Sequence, residues 1–433
     1  MSRKPRILVL TLSFGAGHLS AARNIVEEFN KQIPEADLRL LDALENCSLP
    51  FRAFYVWTYW AMIRYAPQLW GKFFNSRIER RDEQTAPVWI WKKGCKKVFE
   101  EIRRFQPNLI VAAEVGASEI AVIARRENLT NAAIVAVITD YEAEPIWVKP
   151  EVTAYAVAAK TVKMQLEKWG AKKEKIKVCG IPLGTSFSEK HDPRKIKTQL
   201  NFDERPVILL MGGGMGPTKM NEVAAHLLKN GKDLQIVALP AKDEKAKAAL
   251  EKLENTGTVS LRVVGWTSLI AELMRTAVIL ATKPGGLTLS EAAACGLPMV
   301  LFDRIPGPEA ANAMLFVEAG AAVSTKNSRE TATEILRILH DGEKLSAMSA
   351  NCRALAKPNA AREIVELALR EINLSNGESE IRLSPKKPPV LRRAFAAWRT
   401  LKRQKSFRAF FALPAKRNKP VKNFKQLPPE VKI

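Results

Sequence analysis

The sequence predicts an α/β protein built as two doubly wound halves that face each other across a cleft, followed by a basic tail. Three observations predict it. Short apolar runs alternate with stretches of helical period along the first 180 residues, and the alternation starts afresh near residue 207. Strands that alternate with helices form parallel sheets, whose strands are buried on both faces and therefore read as unbroken apolar runs. A glycine-rich loop follows the first run of each half, SFGAGH at Ser13–His18 and MGGGMG at Met211–Gly216, where such a sheet presents its ligand crevice. The 433 residues are 47% hydrophobic, which is ample for two cores.

Taken in order, RILVLT (Arg6–Thr11) is the first strand, and LSAARNIVEEF after the glycine loop is a helix because its apolar residues recur at helical spacing. Strands follow at Leu38–Leu44, Asn108–Glu114, Ala133–Asp140 and Ala154–Ala159, with a helix at Val162–Trp169. CGIPLG (Cys179–Gly184) closes the half, and the polar stretch Ser186–Glu204 reads as a linker. The second half has strands at Val207–Gly214, Leu234–Pro240, Val259–Trp266, Ala277–Thr282, Pro298–Asp303 and Ala321–Ser324. The expected domains are 1–185, a linker at 186–205, 206–376, and a tail at 377–433.

Two segments stand outside this alternation. Phe51–Arg81 is crowded with aromatics and interleaved with arginines, which fits either a pair of core helices or an element lying at a membrane interface. Residues 381–433 hold sixteen of the Lys and Arg residues and the single acid Glu430, so they carry +15 of the net charge of +23. A segment of that charge seeks nucleic acid or an anionic lipid surface. Nucleic-acid binding would leave both glycine loops without a purpose, so the expected partner is the lipid surface, met through residues 51–81 and 381–433. Five cysteines without CxxC spacing argue against a disulfide framework or a zinc site and for a reducing, cytoplasmic compartment. The apolar run at the start is short and alternates like a strand, so it is not expected to be a cleaved signal, and no run is long enough to span a bilayer.

The chemistry concentrates in TKPGGLTLSEAAACGLPMVLFDRIPGPEAAN (Thr282–Asn312). Gly285 and Gly286 open a helix, whose free N–H groups favour a phosphate that glycine allows to come close. Thr288 adds a hydroxyl donor, and Glu291 can accept both hydroxyls of a ribose. Across the cleft, Gly15 and Gly17 supply the tight turn, and His18 stands at a helix start where its neutral ring could take a proton from an attacking hydroxyl. The G-x-G-x-x-x-A spacing there also matches a loose dinucleotide fingerprint with Asp42 as ribose acceptor. A second phosphate cradle across the cleft argues against that reading.

SFGAGHLSAA, TDYEAEPIW (Thr139–Trp147), MGGGMG and the Thr282–Asn312 segment occur in an order that resembles the monogalactosyldiacylglycerol synthase and processive diacylglycerol glucosyltransferase family over residues 6–370. That family is related to the enzyme that forms lipid II. The resemblance implies a GT-B fold in which the first half takes a lipid acceptor at the membrane and the second holds a UDP-sugar. It implies donor binding by Gly15, Gly17, Gly213, Gly214, Gly265, Trp266, Lys283, Gly285, Gly286, Thr288, Glu291, Glu309 and Asn312. By that analogy His18 faces the reacting centre, and Glu144, a catalytic candidate at a position where the family has another residue, either serves as a base or partner for His18 or marks a different acceptor. It also implies hexosyl transfer with inversion, with UDP-hexose as co-substrate, no other cofactor and no metal, on the cytoplasmic face of a membrane. Two motifs depart from the family pattern. Pro308 replaces a glutamine in G-Q-E-x-x-N, and Glu144 stands where T-D-F-x-x-H-x-x-W has histidine. A UDP-sugar epimerase of the same fold and a non-catalytic sugar-nucleotide-binding protein are the alternatives.

Overall fold

The structure is a computed structural model that describes residues 4–13, 15–81, 86–189, 193–213, 219–303 and 305–377. The basic segment 381–433 and Gly214 lie outside the described residues. In the first half the elements are β1 (Arg6–Thr11), α1 (Ala16–Gln32), β2 (Asp37–Asp42), α2 (Ala43–Asn46), α3 (Leu49–Tyr65), α4 (Pro67–Arg80), α5 (Val88–Gly94), α6 (Lys96–Phe105), β3 (Leu109–Ala112), α7 (Val115–Arg126), β4 (Ala133–Val137), β5 (Ala154–Val157), α8 (Lys160–Lys168) and β6 (Ile176–Val178). After α9 (Pro193–Gln199) the second half runs β7 (Val207–Met211), α10 (Met220–Asn230), β8 (Leu234–Leu239), α11 (Glu244–Leu250), β9 (Val259–Val263), α12 (Ile270–Thr276), β10 (Ile279–Thr282), α13 (Gly286–Cys295), β11 (Met299–Leu301), α14 (Pro308–Glu318), β12 (Ala322–Ser324), α15 (Ser328–Leu339), α16 (Gly342–Leu355) and α17 (Ala360–Gly377).

The strands pair in parallel into two six-stranded sheets, ordered β2-β1-β3-β4-β5-β6 and β12-β11-β10-β7-β8-β9. In the first sheet the order reverses between β1 and β3, and in the second between β7 and β10. Loops leave these switch points in opposite directions and open a crevice at the carboxyl ends of the strands. The glycine loops after β1, β7 and β10 all sit at a switch point. Every residue of β3, β4, β7, β8 and β10 is buried, as strands covered by helices on both faces must be.

The expected 206–376 domain needs a correction at its end. Ile364, Val365, Ala368 and Ile372 of α17 lie in one core cluster with Ile7, Val9, Ile25 and Phe29 of the first half. The last helix therefore crosses back and seals the first sheet, because its apolar stripe finds cover there. The edge strand β6 was not expected; it has three residues, and Lys177 interrupts its apolar pattern.

Residues 51–81 form two helices, and α3 is apolar on every side. Its inner face carries Phe51, Tyr55, Tyr59 and Met62, with the exposed Phe54 at the cavity edge, and its outer face exposes Leu49 and Trp57. Phe51 stacks on Tyr55 at 5.3 Å between ring centroids, and both lean on the buried Trp91 of α5. The segment is thus a helix pair packed inward, with a second apolar face left to the exterior.

Candidate functional site

β1 ends on the buried Thr11, and the chain turns into α1 through a loop braced by Asp42. The Asp42 carboxylate accepts from the N–H and hydroxyl of Ser13 and from the N–H of Leu44. It caps α2 and is spent on the protein, so it is not a ribose acceptor. Gly15 caps α1 without a side-chain hydrogen bond, and His18 follows in the first turn. His18 Nδ1 lies 2.9 Å from Thr139 Oγ1. Burial lowers the His18 pKa from 6.5, while Asp140 and the Ala113 backbone oppose the shift. Burial thus favours the neutral imidazole, which has one acceptor nitrogen, as a general base needs.

On the other side, Gly285 caps α13 with no side-chain hydrogen bond, leaving the first amides of that helix free. The space where a Gly285 side chain would stand is open. Gly286 differs: a Cβ there would meet the Thr139 carbonyl oxygen at 2.5 Å and Asp140 Oδ1 at 3.4 Å. Gly286 thus lies at the contact between the halves as well as on the cavity wall. Lys283 lies beside this helix start, its pKa lowered by burial and held up by Glu309, Asp303 and Asp243. Burial pushes Glu291 up to about 8 and Glu309 up to about 7; Glu309 also accepts from Ile305 N–H at 2.8 Å.

One cavity of about 1170 Å³ joins these groups. Gly15, Gly17, His18, Gly213, Gly265, Trp266, Lys283, Gly285, Gly286, Thr288, Glu291, Glu309 and Glu144 all line it. Two-thirds exposed, Trp266 has Lys242 Nζ 5.6 Å from its ring centroid. The cavity then continues past His18 along the aromatic inner face of α3 and α4. An anion-favouring helix start, a neutral histidine and an apolar trough are therefore parts of one space.

Two expected site residues are placed otherwise. Glu144 does not partner His18; its Oε2 lies 2.8 Å from Arg77 Nη2 of α4, an ion contact without hydrogen-bond alignment. The carboxylate that acts on His18 is Asp140. Asn312 is fully buried, is not among the cavity-lining residues, and hydrogen-bonds Tyr141, Asp140 and Pro284. Pro308 fits its position as the first residue of α14, where a missing N–H costs nothing, and Gly307 before it has φ +108°. The sequence reading missed Glu114, a buried carboxyl on the cavity wall pushed up to about 8 by burial. Its signal was an acid at the end of an otherwise apolar strand.

Residues 18–183 match the monogalactosyldiacylglycerol (MGDG) synthase family and residues 192–355 the glycosyl transferases group 1 family. The chain is a two-domain glycosyltransferase of the GT-B fold. A processive diacylglycerol beta-glucosyltransferase of Bacillus licheniformis is 27% identical to this glycosyltransferase over 369 residues, covering 84% of this chain and 94% of that one. MurG of Acinetobacter baumannii superposes with a TM-score of 0.56 at 14% identity, over 84% of this chain and 99% of its own. A putative UDP-N-acetylglucosamine 2-epimerase of Listeria monocytogenes superposes with a TM-score of 0.57 at 13% identity, over 88% and 100%. Likeness at that level is a likeness of fold alone, and it does not choose between a transferase and an epimerase.

Proposed function

We propose that this glycosyltransferase moves a hexose from a UDP-hexose to a membrane lipid acceptor such as diacylglycerol, with inversion and without a metal. The single observation that carries the reading is the continuity of the cavity from the uncapped start of α13, past His18, to the aromatic face of α3. A reaction confined to a nucleotide sugar has no use for that apolar trough, which speaks against the epimerase.

In this reading the diphosphate lies on the free amides of α13 with Lys283 and Thr288, and Glu291 accepts from the ribose. The base lies near Gly265 and Trp266. Glu309 faces the hexose, with the Gly213 loop and the turn at Gly15 and Gly17 closing over the donor. The acceptor hydroxyl gives its proton to His18 as its oxygen attacks the anomeric carbon, and the bond to the departing UDP breaks. Helix-start amides stabilise the charge that develops on the leaving diphosphate. His18→Ala removes a general base, so turnover falls about 100- to 10,000-fold. The dissociation constant for UDP stays nearly unchanged. Mass spectrometry of lipid extracts from a panel of UDP-hexoses and diacylglycerol measures turnover; unaltered turnover in the variant overturns the assignment. Turnover that survives a chelator agrees with a metal-free reaction, and its collapse refutes one.

Among the described residues no helix is long and apolar enough to cross a membrane. The outer face of α3, with Leu49 and Trp57 exposed beside Arg52, suits a helix that lies in the interface plane of the cytoplasmic leaflet. Each Lys or Arg of residues 381–433 near an anionic surface adds about 1 kcal/mol. Liposomes containing anionic lipid retain the full chain and release one lacking 381–433; equal flotation of both excludes the tail as an anchor.

A further inference from the structure

Asn312, in the second turn of α14, has none of its surface exposed. Its Oδ1 accepts from Tyr141 N–H at 2.8 Å, and its Nδ2 donates to Asp140 Oδ1 at 3.0 Å and to the Pro284 carbonyl at 3.2 Å. A carboxamide has two N–H donors, and both are taken by protein. One side chain of the second half thus holds the loop after β4 of the first half and the loop after β10 together.

The loop it holds is docked firmly elsewhere. Tyr141 Oη lies 2.7 Å from Ser290 Oγ, its ring meets Phe316 edge-on at 5.2 Å, and Thr139 presses its carbonyl against Gly286. Among the described residues, Asn312 donates a hydrogen bond to the carboxylate of Asp140. Asp140 lines the cavity and supplies the charge that opposes burial at His18.

We propose that Asn312 is a positioning residue: by donating to Asp140 Oδ1 it fixes that carboxylate in the cavity wall it shares with His18, so that the donor-binding half orients the charge set beside the proton acceptor of the other half. The proposal rests on the reading of His18 as the base. A hydrogen bond to a carboxylate oxygen is charge-assisted and directional, so it holds the group in one orientation. Asp140 shares the cavity with acids from several elements. Glu142 and Glu144 stand on its own loop and Glu309 on α14, with the Tyr59 hydroxyl facing it from α3 and Tyr141 beside it. Thr139 and the Ala113 backbone are the remaining polar neighbours of His18. Without the Asn312 N–H the carboxylate of Asp140 is free to turn away, and its opposition to burial at His18 weakens.

The test is the pH profile of kcat/KM in the full chain with UDP-hexose and diacylglycerol. In Asn312→Ala the acid limb moves down by about one pH unit, the size of effect a nearby opposite charge has on a pKa. The maximal rate falls while KM for UDP-hexose changes little. Asp140→Asn moves the limb the same way, and the double variant moves it no further, as expected when both act through one charge. Tyr141→Phe loosens the same loop without touching Asp140 and leaves the limb in place. An unmoved limb in Asn312→Ala overturns the proposal, as does a raised KM for UDP-hexose at constant kcat, which would make Asn312 a sugar ligand. Should Asn312→Ala fail to fold, an unmoved limb in Asp140→Asn overturns it equally. Unchanged turnover in His18→Ala overturns the base itself, whereas an inactive His18→Ala with an unmoved limb in Asn312→Ala removes only the positioning role.

Discussion

Glu114 ends the apolar run of β3 with a carboxyl only 5% exposed. One of its oxygens caps α7, accepting from Gly116 N–H at 2.7 Å and Ala117 N–H at 3.1 Å. Those bonds favour the charged form, yet desolvation outweighs them and lifts the group from 4.5 to about 8. A carboxyl raised on folding binds its proton more tightly in the folded state, so its stabilising contribution is complete below about pH 4.5 and is lost as pH rises through about 8. Glu114→Gln keeps an oxygen for the cap and removes the titration. Its melting temperature therefore gains on that of the parent as pH rises from 6 to 9, while near pH 4 the two lie close together. Differential scanning calorimetry across that range reads the gap, and a gap that stays constant rules Glu114 out as the titrating group. Arg77 and Glu144 make the opposite case at the same scale. Glu144 is likewise pushed up by burial, to about 7, but Arg77 pulls it back towards the charged form.

The elements that carry the site differ in how openly the sequence declares them. Strands buried on both faces leave unbroken apolar runs, and so all but β6 could be read from the sequence; β6, with Lys177 at its centre, leaves no run. The start of α13 was equally plain, yet the division of labour between its two glycines was not. What fills the space beside Gly286 is the Thr139 carbonyl from the other half of the molecule, and no local pattern encodes a contact across that separation. The contacts of Asn312 were hidden for the same reason: a polar residue in a ligand loop looks the same in sequence whether it faces the sugar or the opposite domain. The glycine pair gives a direct test. Gly286→Ala drives a methyl into a packed carbonyl and costs about 1–3 kcal/mol of stability. Gly285→Ala meets nothing within 4 Å, so stability is kept, while UDP binding weakens because the added methyl stands where the diphosphate approaches. Thermal melts and UDP titration of both variants separate the two roles; equal melting temperatures would place both glycines at the ligand.

As a whole the molecule sets charge against charge. Its net charge is +23, yet the cavity is walled by Glu114, Glu142, Glu144, Glu291 and Glu309, with Lys283 and Arg77 also on its wall. Burial holds these acids at about 7 to about 8, so near neutral pH the empty cavity is partly protonated. A bound diphosphate adds negative charge to this space and raises the acids further, because like charges in a desolvated site disfavour each other's ionised forms. UDP binding must then draw protons from solution, and its affinity must weaken as pH rises through the interval where the free acids ionise. For each proton taken up the loss approaches about tenfold per pH unit. Calorimetric titration with UDP at pH 7.5, repeated in buffers of different ionisation enthalpy, counts the protons, and the dissociation constant measured from pH 6 to 9 gives the slope. Glu309→Gln removes the acid nearest Lys283 in the donor lobe and makes that slope shallower. An affinity that is flat with pH, with no proton uptake in any buffer, would mean that the acids of the cavity wall stay uncoupled from the diphosphate.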